Sequence, residues 1–401
     1  MILSRRHLFG SVAAGGIAAS LPACTLPVRG PAVPLGEAAN ATVLGLPNER
    51  FFPFTSTAGL EEEFVQAMVR QGRLRGAARS ASVSESTVRL LSVSGGGENG
   101  AFGAGLLCGW TDLRTRPKFD LVTGVSTGAL IAPFAFLGSA YDSVLREVYT
   151  KTSPDNILKS RGLLMALFDD ALSDNAPLLK TISRSLDARL LAEIGKGYDE
   201  GRLLLIGSTD LDAQQPVIWN LGAIAKSGHP KAGETIWRIL LASAAIPGAF
   251  PPVMLDVTLD GKPYQEMHVD GGAFAQAFLY PAAITTQRRE RLRRREPVIP
   301  ATAYVIRNGR LDPEWAVVER RTFSIAARAI STMIASSGFN DVLRMYSNTL
   351  RDDIGFNLAY IGKDFSMELP APFDSGYMQA LFDYGYQRGR KGYDWATKPP
   401  I

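Results

Sequence analysis

Two successive segments of this sequence run from an apolar strand through a glycine-rich turn into an apolar helix. The first turn has the sequence Ser-Gly-Gly-Gly-Glu-Asn-Gly at 94–100 and follows a strand at 88–93, and the second has Gly-Val-Ser-Thr-Gly at 124–128 and follows a strand at 119–123. Strands that alternate with helices are typical of an α/β layered domain. The alternation continues through further strand-like runs without an internal repeat, at 202–208, 217–221 and 301–306.

The composition is that of a globular chain with a large core. Of 401 residues, 46% are hydrophobic and 20% are charged, which excludes a disordered chain, and 39 glycines without a three-residue period exclude a collagen. The sequence lacks the several long apolar runs of a polytopic membrane protein. Lys and Arg exceed Asp and Glu by only 43 to 39, and aromatic residues do not interleave with basic runs, so we predict no nucleic-acid partner.

The first 23 residues have the pattern of an export signal peptide. Arg5 and Arg6 precede a short apolar stretch that ends at Leu21 and is too short for a membrane span. The arginine pair favours the twin-arginine pathway over the general secretory pathway. Cleavage removes both arginines and no acid, which lowers the net charge from +4 to +2.

The end of this signal resembles a bacterial lipobox, Leu-Pro-Ala-Cys at 21–24. Cleavage at a lipobox leaves a lipidated cysteine as the first residue, and acylated Cys24 would tether the folded domain to a bilayer. The alternative is ordinary signal cleavage beside an unmodified Cys24. We predict an exported, membrane-anchored lipoprotein of the bacterial cell envelope, at the outer membrane or the periplasmic face of the inner membrane.

A region rich in proline and glycine follows the signal. Seven such residues between 25 and 50 predict a spacer, with ordered structure beginning near Arg50. A helical pattern at 61–75 and a polar connector complete an N-terminal region over 24–85. We place one main domain at 86–395.

The first glycine-rich turn is suited to bind an anion. Gly95, Gly96 and Gly97 leave unobstructed backbone N–H groups at the positive end of the following helix dipole. The turn also fits a dinucleotide-binding fingerprint, but Asp120 begins the next strand, whereas a ribose-binding acid belongs at that strand's end. No Lys-Ser or Lys-Thr follows Gly100, which excludes a P-loop. A nucleotide-binding enzyme is therefore our third choice of function.

The second turn has the form of a nucleophile elbow. Gly124 and Gly128 relieve crowding at a strained strand-to-helix turn that presents the Ser126 hydroxyl at the helix N-terminus. The same pattern also describes a plain turn with a surface serine. Its position one strand after an anion-binding loop favours the nucleophile, because a serine that attacks an ester generates an oxyanion that needs N–H donors.

A serine nucleophile needs a base, and the sequence has three histidines. His7 is removed with the signal, and His229 lies in a polar loop. His268 lies in a strand, two residues before Asp270. The base is therefore sought in the segment around 268–270.

Two arrangements fit this segment. His268 and Asp270 project to the same side of a strand and would form a triad with Ser126. Alternatively, Ser126 and Asp270 form a dyad in which a partly desolvated carboxylate is the base. Gly271 and Gly272 would permit the close approach that the dyad requires.

Four segments, in chain order, resemble the motifs of the patatin-like phospholipase family. They are the turns at 94–100 and 124–128, Ser-Ala-Ala-Ile-Pro-Gly-Ala-Phe-Pro-Pro at 243–252, and Asp-Gly-Gly at 270–272. The resemblance covers 88 to about 280. It implies a three-layer α/β/α sandwich of patatin type with a mainly parallel central sheet, and lipid acyl hydrolysis. We predict no cofactor.

The resemblance also implies roles for single residues. Ser126 is the nucleophile and Asp270 the general base, without histidine. The oxyanion hole is formed by backbone N–H groups of the glycine motif, whose residues are Gly95, Gly96, Gly97 and Gly100.

The sequence departs from the family pattern at two places. Asn99 stands where family members often have arginine, so any role of that cation is lost or supplied elsewhere. Gln276 and Ala277 stand where many members continue toward Asn-Asn-Pro. The reaction type is therefore better determined than the substrate preference.

Two further segments could either contact the lipid substrate or have only a structural role. A dense arginine run at 288–295 would contact anionic head groups or form a solvated helix or loop, and we weigh these equally. A long helix or helix pair at 325–350 carries Ile330, Met333 and Ile334 among its apolar residues, and we predict that these pack in a core rather than line an acyl-chain pocket.

Other features are predicted to be structural. Cys108 lies among apolar residues and is expected to be a buried thiol. Asp374 is expected to cap a final helix that extends to Gly392. No Cys, His and carboxylate cluster has metal-ligand spacing in the sequence, so we predict no metal site.

Together these features predict an envelope lipoprotein that cleaves phospholipid, lysophospholipid or related acyl esters through an acyl-enzyme. Its partners would be the lipid substrate and a membrane, contacted through the lipid anchor and the 288–295 arginine run. The alternatives are a serine esterase with the His268 triad and a non-catalytic lipoprotein that binds lipid or a partner. The sequence makes no prediction of oligomeric state.

Overall fold

The computed structural model describes residues 29–77, 87–151, 159–160 and 173–400 of the chain. The predicted signal peptide and Cys24 lie outside the described residues. Within the described ranges, no helix combines the length and hydropathy that a membrane span requires.

The described residues form alternating strands and helices, as the sequence predicts. The strands are β1 (Arg50–Phe51), β2 (Val88–Val93), β3 (Leu121–Val125), β4 (Lys159–Ser160), β5 (Ser173–Asp174), β6 (Leu203–Asp210), β7 (Gln215–Asn220), β8 (Val253–Leu259), β9 (Lys262–Asp270), β10 (Ala301–Arg307) and β11 (Gly355–Tyr360). The helices are α1 (Ala58–Ala77), α2 (Gly100–Asp112), α3 (Thr127–Leu137), α4 (Asp142–Thr150), α5 (Ala176–Ser185), α6 (Ala188–Asp199), α7 (Leu221–Lys226), α8 (Ala232–Ser243), α9 (Thr286–Arg293), α10 (Thr322–Arg351) and α11 (Ser375–Arg390).

The centre of the molecule is a mostly parallel sheet. Strands β6, β3, β2, β10 and β11 lie side by side in that order, and each pairs in parallel with its neighbour. Beyond β6 the sheet continues through β7, which pairs antiparallel with β6, and then β1, which pairs antiparallel with β7. The β8–β9 hairpin joins the sheet through antiparallel pairing of β9 with β6. The two glycine-rich turns follow β2 and β3, so both lie at the carboxyl edge of the parallel strands.

Helices cover both faces of this sheet. All five residues of β3 are buried, as expected for a parallel strand that is covered on both sides. Helices α2, α3, α8 and α11 contribute to the larger core on one face, and α1 and the second half of α10 contribute to the core on the other. This confirms the predicted three-layer α/β/α sandwich.

Helices α2 and α11 pack closely at glycine positions. A Cβ atom on Gly105 would lie 2.0 Å from the carbonyl oxygen of Phe382, and one on Gly385 would lie 2.3 Å from that of Phe102. Cys108 is buried in this layer, where desolvation raises the pKa of its thiol to about 12. Its predicted core role is confirmed, as is the cap of α11, where the Asp374 carboxylate accepts from the Tyr377 N–H at 2.8 Å.

Ordered structure begins earlier than predicted. The expected spacer is wrong for residues 29–50, because this segment packs on the β8–β9 hairpin. Ala41 is 2% exposed, and Thr42 forms an antiparallel bridge with Thr258 of β8. The Arg50 guanidinium donates to the Ala41 carbonyl at 2.6 Å.

The core prediction for the long helix is wrong over its first half. Ile330 and Met333 of α10 are 55% and 70% exposed, and Ile334 is also exposed. Only the second half packs against the sheet, where Val342 and Met345 are buried. The apolar pattern continues along the helix, but the first half extends beyond the sheet that would cover it.

The arginine run lies on and after α9, at the opposite end of the sheet from the glycine-rich turns. Arg288 donates to the carbonyl oxygens of Asp352 at 2.7 Å and Asp353 at 2.8 Å, and to that of Ile299 at 2.5 Å. These carbonyls directly precede β11 and β10, so Arg288 holds the amino ends of two parallel strands. Any lipid contact of this run would be remote from Ser126.

Candidate active site

Ser126 and Asp270 are brought together by a shared neighbour, strand β6. Along one edge of β6, Gly207 pairs with Val125, the last residue of β3, and Ser208 pairs with Asp270, the last residue of β9. Strands β3 and β9 run in opposite directions, so their carboxyl ends meet at this point. Ser126 follows Val125 directly and therefore lies beside Asp270.

Ser126 occupies the predicted strained turn between β3 and α3. Its φ is 55° and its ψ is −126°, in a region that side chains with a Cβ rarely adopt. Close backbone contacts surround it, because a Cβ on Gly124 would lie 2.5 Å from the Gly128 oxygen and one on Gly128 would lie 2.1 Å from the Val93 oxygen. Larger residues at 124 and 128 would force this turn apart.

A buried hydroxyl fixes the backbone of this turn. The Ser126 N–H donates to Oγ of Ser243 at 3.0 Å, and that hydroxyl donates to the Gly207 carbonyl at 2.6 Å. Ser243 is fully buried at the end of α8. It therefore connects the serine turn to the strand that aligns it with Asp270.

The Asp270 carboxyl is buried beside Ser126. Burial raises its pKa from the ordinary value near 3.8 to about 7, although hydrogen bonds from Ser126 and the Gly272 N–H act in the opposite direction. The Gly272 N–H donates to Oδ1 at 2.7 Å. A carboxyl with this pKa changes protonation state near neutral pH, as a general base for a hydroxyl requires.

The glycine loop has two N–H groups without an acceptor among the described residues. The Gly95 N–H donates to the Gln276 carbonyl at 3.0 Å and is therefore engaged. The N–H groups of Gly96 and Gly97 donate to no group of the described residues. A Cβ on Gly95 would lie 3.2 Å from the Ser126 Cβ, which places this loop directly against the serine.

Gly100 has a packing role at the start of α2. A Cβ there would lie 2.1 Å from Oγ1 of Thr127, so glycine lets α2 and α3 approach each other. The Thr127 hydroxyl is hydrogen-bonded to the Tyr149 hydroxyl at 2.6 Å. The Gly100 N–H points to the carbonyls of Gly97 and Glu98, within its own turn.

Gln276 connects the glycine loop with the Asp-Gly-Gly segment. Its carbonyl accepts from Gly95, and its Nε2 donates to the Gly272 carbonyl at 3.0 Å. The Asp341 carboxylate of α10 accepts from the Gln276 N–H at 2.7 Å. Gln276, at which the sequence departs from the family pattern, therefore links the glycine loop to the segment that carries Asp270.

His268 is engaged away from Ser126. Its Nδ1 is hydrogen-bonded to the Ser208 hydroxyl at 3.0 Å and its Nε2 to the Glu266 carboxylate at 3.1 Å. Both ring nitrogens thus have partners, and none of the described hydrogen bonds joins His268 to Ser126 or Asp270. The triad arrangement is wrong for this structure, because the ring of His268 packs at 5.6 Å from that of Trp219 instead.

His268 also belongs to a buried acidic cluster that the sequence did not reveal. Asp210, Glu266 and His268 each place a potential ligand atom within 4.8 Å of the others. Arg50 pairs with Glu266 through Nη1 at 2.5 Å and Nη2 at 3.1 Å. Burial is the largest effect on the Glu266 carboxyl and raises its pKa, but His268 and Arg50 together bring that pKa below its ordinary value. The arginine already supplies the positive charge that this cluster requires.

A partly open apolar pocket lies beside Ser126. Its apolar side chains come from several helices and loops, namely Leu130, Val148, Leu178, Ala244, Ile246, Phe250, Phe373 and Met378. Among its described lining residues Glu98 alone has a charged side chain, and burial raises the pKa of that carboxyl. The neighbouring Asn99 accepts a hydrogen bond from the Tyr377 hydroxyl at 2.7 Å, so a neutral amide occupies the position next to Glu98.

Most residues singled out in the sequence therefore lie together. Ser126 and Gly97 line the cavity, and Asp270 lies next to Ser126, whereas His268 and the arginine run lie elsewhere. Ser243 and Gln276 lie in segments noted in the sequence, but their contacts with Ser126 and Gly95 join residues more than 100 positions apart.

Comparison with known proteins gives one family match. The family model described as patatin-like phospholipase matches residues 91–283. Among solved structures, the crystal structure of VipD from Legionella pneumophila is similar to this chain at 9% sequence identity, with a TM-score of 0.35, over 77% of this chain and 67% of that chain. No match was found among curated protein sequences. The family match confirms the resemblance and the fold predicted from the four motifs.

Proposed function

Because residues 91–283 form a patatin-like phospholipase domain, we propose that this chain hydrolyses lipid acyl esters with Ser126 as nucleophile and Asp270 as base. One observation carries the proposal. The ends of β3 and β9 occupy adjoining positions on β6, which puts the Ser126 hydroxyl against a buried carboxyl whose pKa is about 7.

The first half of the reaction forms an acyl-enzyme. Ionised Asp270 accepts the proton of the Ser126 hydroxyl while Oγ bonds to the ester carbonyl carbon. The carbonyl oxygen becomes an oxyanion and accepts hydrogen bonds from the free N–H groups of Gly96 and Gly97. As the tetrahedral intermediate collapses, the bond to the alcohol breaks and the departing oxygen takes the proton from Asp270.

The second half releases the fatty acid. A water molecule gives a proton to Asp270 as its oxygen bonds to the acyl carbon. The bond to Ser126 Oγ then breaks, and Oγ recovers the proton from Asp270. The net reaction consumes one ester and one water molecule and forms one fatty acid and one alcohol.

The cavity supports a substrate with an apolar acyl chain. Leu130, Val148 and Phe250 are among its walls, and an aliphatic chain placed there leaves water. The family match implies a lipid substrate in general terms. We propose phospholipids, lysophospholipids or related acyl esters as the specific class.

The experiment is fatty-acid release from a panel of phospholipids, lysophospholipids and glycerides by the purified chain. Ser126→Ala and Asp270→Asn are compared with His268→Ala, and each is checked for folding by circular dichroism. We expect the first two to lose activity by at least a thousandfold and the folded fraction of the third to keep it. Undiminished hydrolysis by Ser126→Ala would refute the mechanism, and specific loss in folded His268→Ala would restore the triad.

We also propose that the chain is an envelope lipoprotein anchored through Cys24, at the outer membrane or the periplasmic face of the inner membrane. The lipobox-like segment at 21–24 supports this. Expression in a bacterium with labelled fatty acid should label the wild-type chain but not Cys24→Ser, with Cys108→Ser as the control that remains labelled. Equal labelling of Cys24→Ser would contradict the anchor.

A further inference from the structure

Arg307 is a buried arginine beside the glycine loop, at the carboxyl end of β10. It is 5% exposed. Its Nη1 donates to the Gly95 carbonyl at 3.1 Å and to the Ser94 hydroxyl at 3.3 Å. Because β10 pairs directly with β2, which leads into the loop, both ends of this contact are fixed by the sheet. Arg307 lies outside the segment matched by the family model.

Arg307 forms no ion pair with an acid of the described residues. Asp341 and Glu314 act on it only through space, and the Asp341 carboxylate pairs with Arg344 at 2.8 Å. Burial lowers the pKa of Arg307, but a guanidinium remains charged in proteins. The charge is therefore directed chiefly at the backbone of the glycine loop.

The contact sets the direction of the peptide between Gly95 and Gly96. In a trans peptide the C=O and N–H groups point in opposite directions. The Gly95 carbonyl accepts from Arg307 and, at 2.7 Å, from the Ser94 hydroxyl, so the Gly96 N–H points away from both donors. The preceding peptide is held in the same manner, since Nδ2 of Asn308 donates to the Ser94 carbonyl at 2.9 Å.

The fold leaves room for this side chain at two glycines. A Cβ on Gly338 of α10 would lie 2.6 Å from Cζ of Arg307, and one on Gly309 would lie 3.3 Å from it. Asn99 within the loop is uncharged. Among the described residues, Arg307 is the cationic side chain that hydrogen-bonds to the loop segment 94–97.

We propose that Arg307 is a positioning residue that holds the Gly95 carbonyl so that the Gly96 N–H faces the oxyanion. Its charge, behind the loop, also stabilises the negative charge that develops on the substrate oxygen. This inference rests on the proposed hydrolytic function. Arg307 of β10 would then supply the positive charge that family members often carry at the position of Asn99.

The test measures kcat and KM of the full chain on para-nitrophenyl butyrate for Arg307→Met and Arg307→Lys. Arg202→Met is the matched control, because Arg202 is similarly buried but lies at the opposite end of the sheet. Its guanidinium also donates to backbone carbonyls, to that of Phe119 at 2.8 Å and to that of Phe136. We expect Arg307→Met to lower kcat at least tenfold with KM within twofold, and Arg307→Lys to recover part of the loss. Arg202→Met should lower the melting temperature but leave kcat of the folded protein within twofold.

Gly338→Ala provides a second test in which Arg307 is retained. Alanine favours the α10 helix but displaces the guanidinium, so we expect a folded protein with kcat lowered at least threefold. Gly72→Ala is its control, because a Cβ at that helical position meets nothing within 4 Å.

The outcomes separate this inference from the proposed function. Wild-type kcat in folded Arg307→Met, or in Gly338→Ala if Arg307→Met does not fold, would overturn the role of Arg307 while leaving the hydrolase intact. An equal loss of kcat in Arg202→Met would also overturn it. A wild-type chain that hydrolyses no ester would overturn the proposed function and this inference together.

Discussion

Ser126 and Asp270 meet because strands β3 and β9 end head to head along one edge of β6. Val125, which directly precedes Ser126, pairs with Gly207 of β6, and Asp270 pairs with the next residue, Ser208. The distance between nucleophile and base is thus set by backbone pairing within the sheet. Strands position functional side chains more precisely than loops do.

The pH dependence of hydrolysis should follow Asp270. Its pKa of about 7 means that the carboxyl loses its function as a base below neutral pH. We expect kcat/KM on a neutral ester to rise about tenfold per pH unit up to pH 7 and to level off above it. A profile that is flat from pH 5 to pH 9, with circular dichroism unchanged, would contradict this role.

The raised pKa of Asp270 also predicts an effect on stability. The folded state holds this proton more tightly than the unfolded state, so the contribution to stability is full below about pH 4 and is lost as pH rises through about 7. Asp270→Asn stays neutral and should gain up to about 4 kcal/mol over the wild type at pH 8.

Melting temperatures at pH 5 and pH 8 measure this gain. The inactive Asp270→Asn variant should melt above the wild type, and the difference should be larger at pH 8. Asp187→Asn is the control, because that carboxylate caps α6 at the protein surface. A difference that shrinks as pH rises would refute the burial of an ionisable Asp270.

Removal of the Ser243 hydroxyl should disturb the serine turn. Ser243→Ala leaves the buried Ser126 N–H without an acceptor and should cost about 1–3 kcal/mol in the free energy of unfolding. We expect kcat to fall about tenfold, since a displaced nucleophile of this kind costs roughly one to two powers of ten.

Ser208→Ala is the matched control for Ser243→Ala. Its hydroxyl is equally buried but contacts Trp219 at 2.8 Å and His268 at 3.0 Å rather than the serine turn. It should lose similar stability while keeping kcat near the wild-type value. Equal kcat in both variants would show that the Ser243 contact does not position Ser126.

Glu98 should influence which head groups are accepted. It is the charged side chain among the described residues of the cavity wall, so an anionic group close to the ester is repelled. Repulsion between two like charges a few ångströms apart in water is roughly 1 kcal/mol, which corresponds to about a fivefold change in rate. Glu98→Gln should therefore raise the rate on phosphatidylglycerol relative to phosphatidylcholine about fivefold at pH 8. Glu147→Gln, an exposed acid outside the cavity lining, is the control. An unchanged ratio in Glu98→Gln would refute this selectivity.

The parts of the site that were predictable from sequence are those with local patterns. Ser126 and the glycine loop each occupy a strand–turn–helix segment, whose glycines reveal the turn without knowledge of the rest of the chain. Asp270 was identified with its Gly-Gly pair, but the choice between the dyad and the triad needed the direction of the His268 ring. That direction is set by Glu266 and Ser208, one of which lies on another strand.

The parts that were not predictable depend on distant contacts. Arg307 acts on Gly95 across 212 positions of sequence, and an arginine at the end of a strand has no local signature. The exposed half of α10 has the same apolar residues as a buried helix, and only the extent of the sheet decides which half is covered. The segment before Arg50 has few large apolar residues, but Ala38 and Ala41 are small enough to be buried there.

Whether Asp270 activates Ser126 is tested most directly by the site at which a fluorophosphonate probe labels the folded chain, determined by mass spectrometry of a digest. If Ser126 is the nucleophile activated by Asp270, the probe will label Ser126 alone, labelling will slow by at least a hundredfold in Asp270→Asn, and prior labelling will abolish ester hydrolysis. An active chain that is labelled at another residue, or that stays active when Ser126 is fully labelled, would contradict the claim.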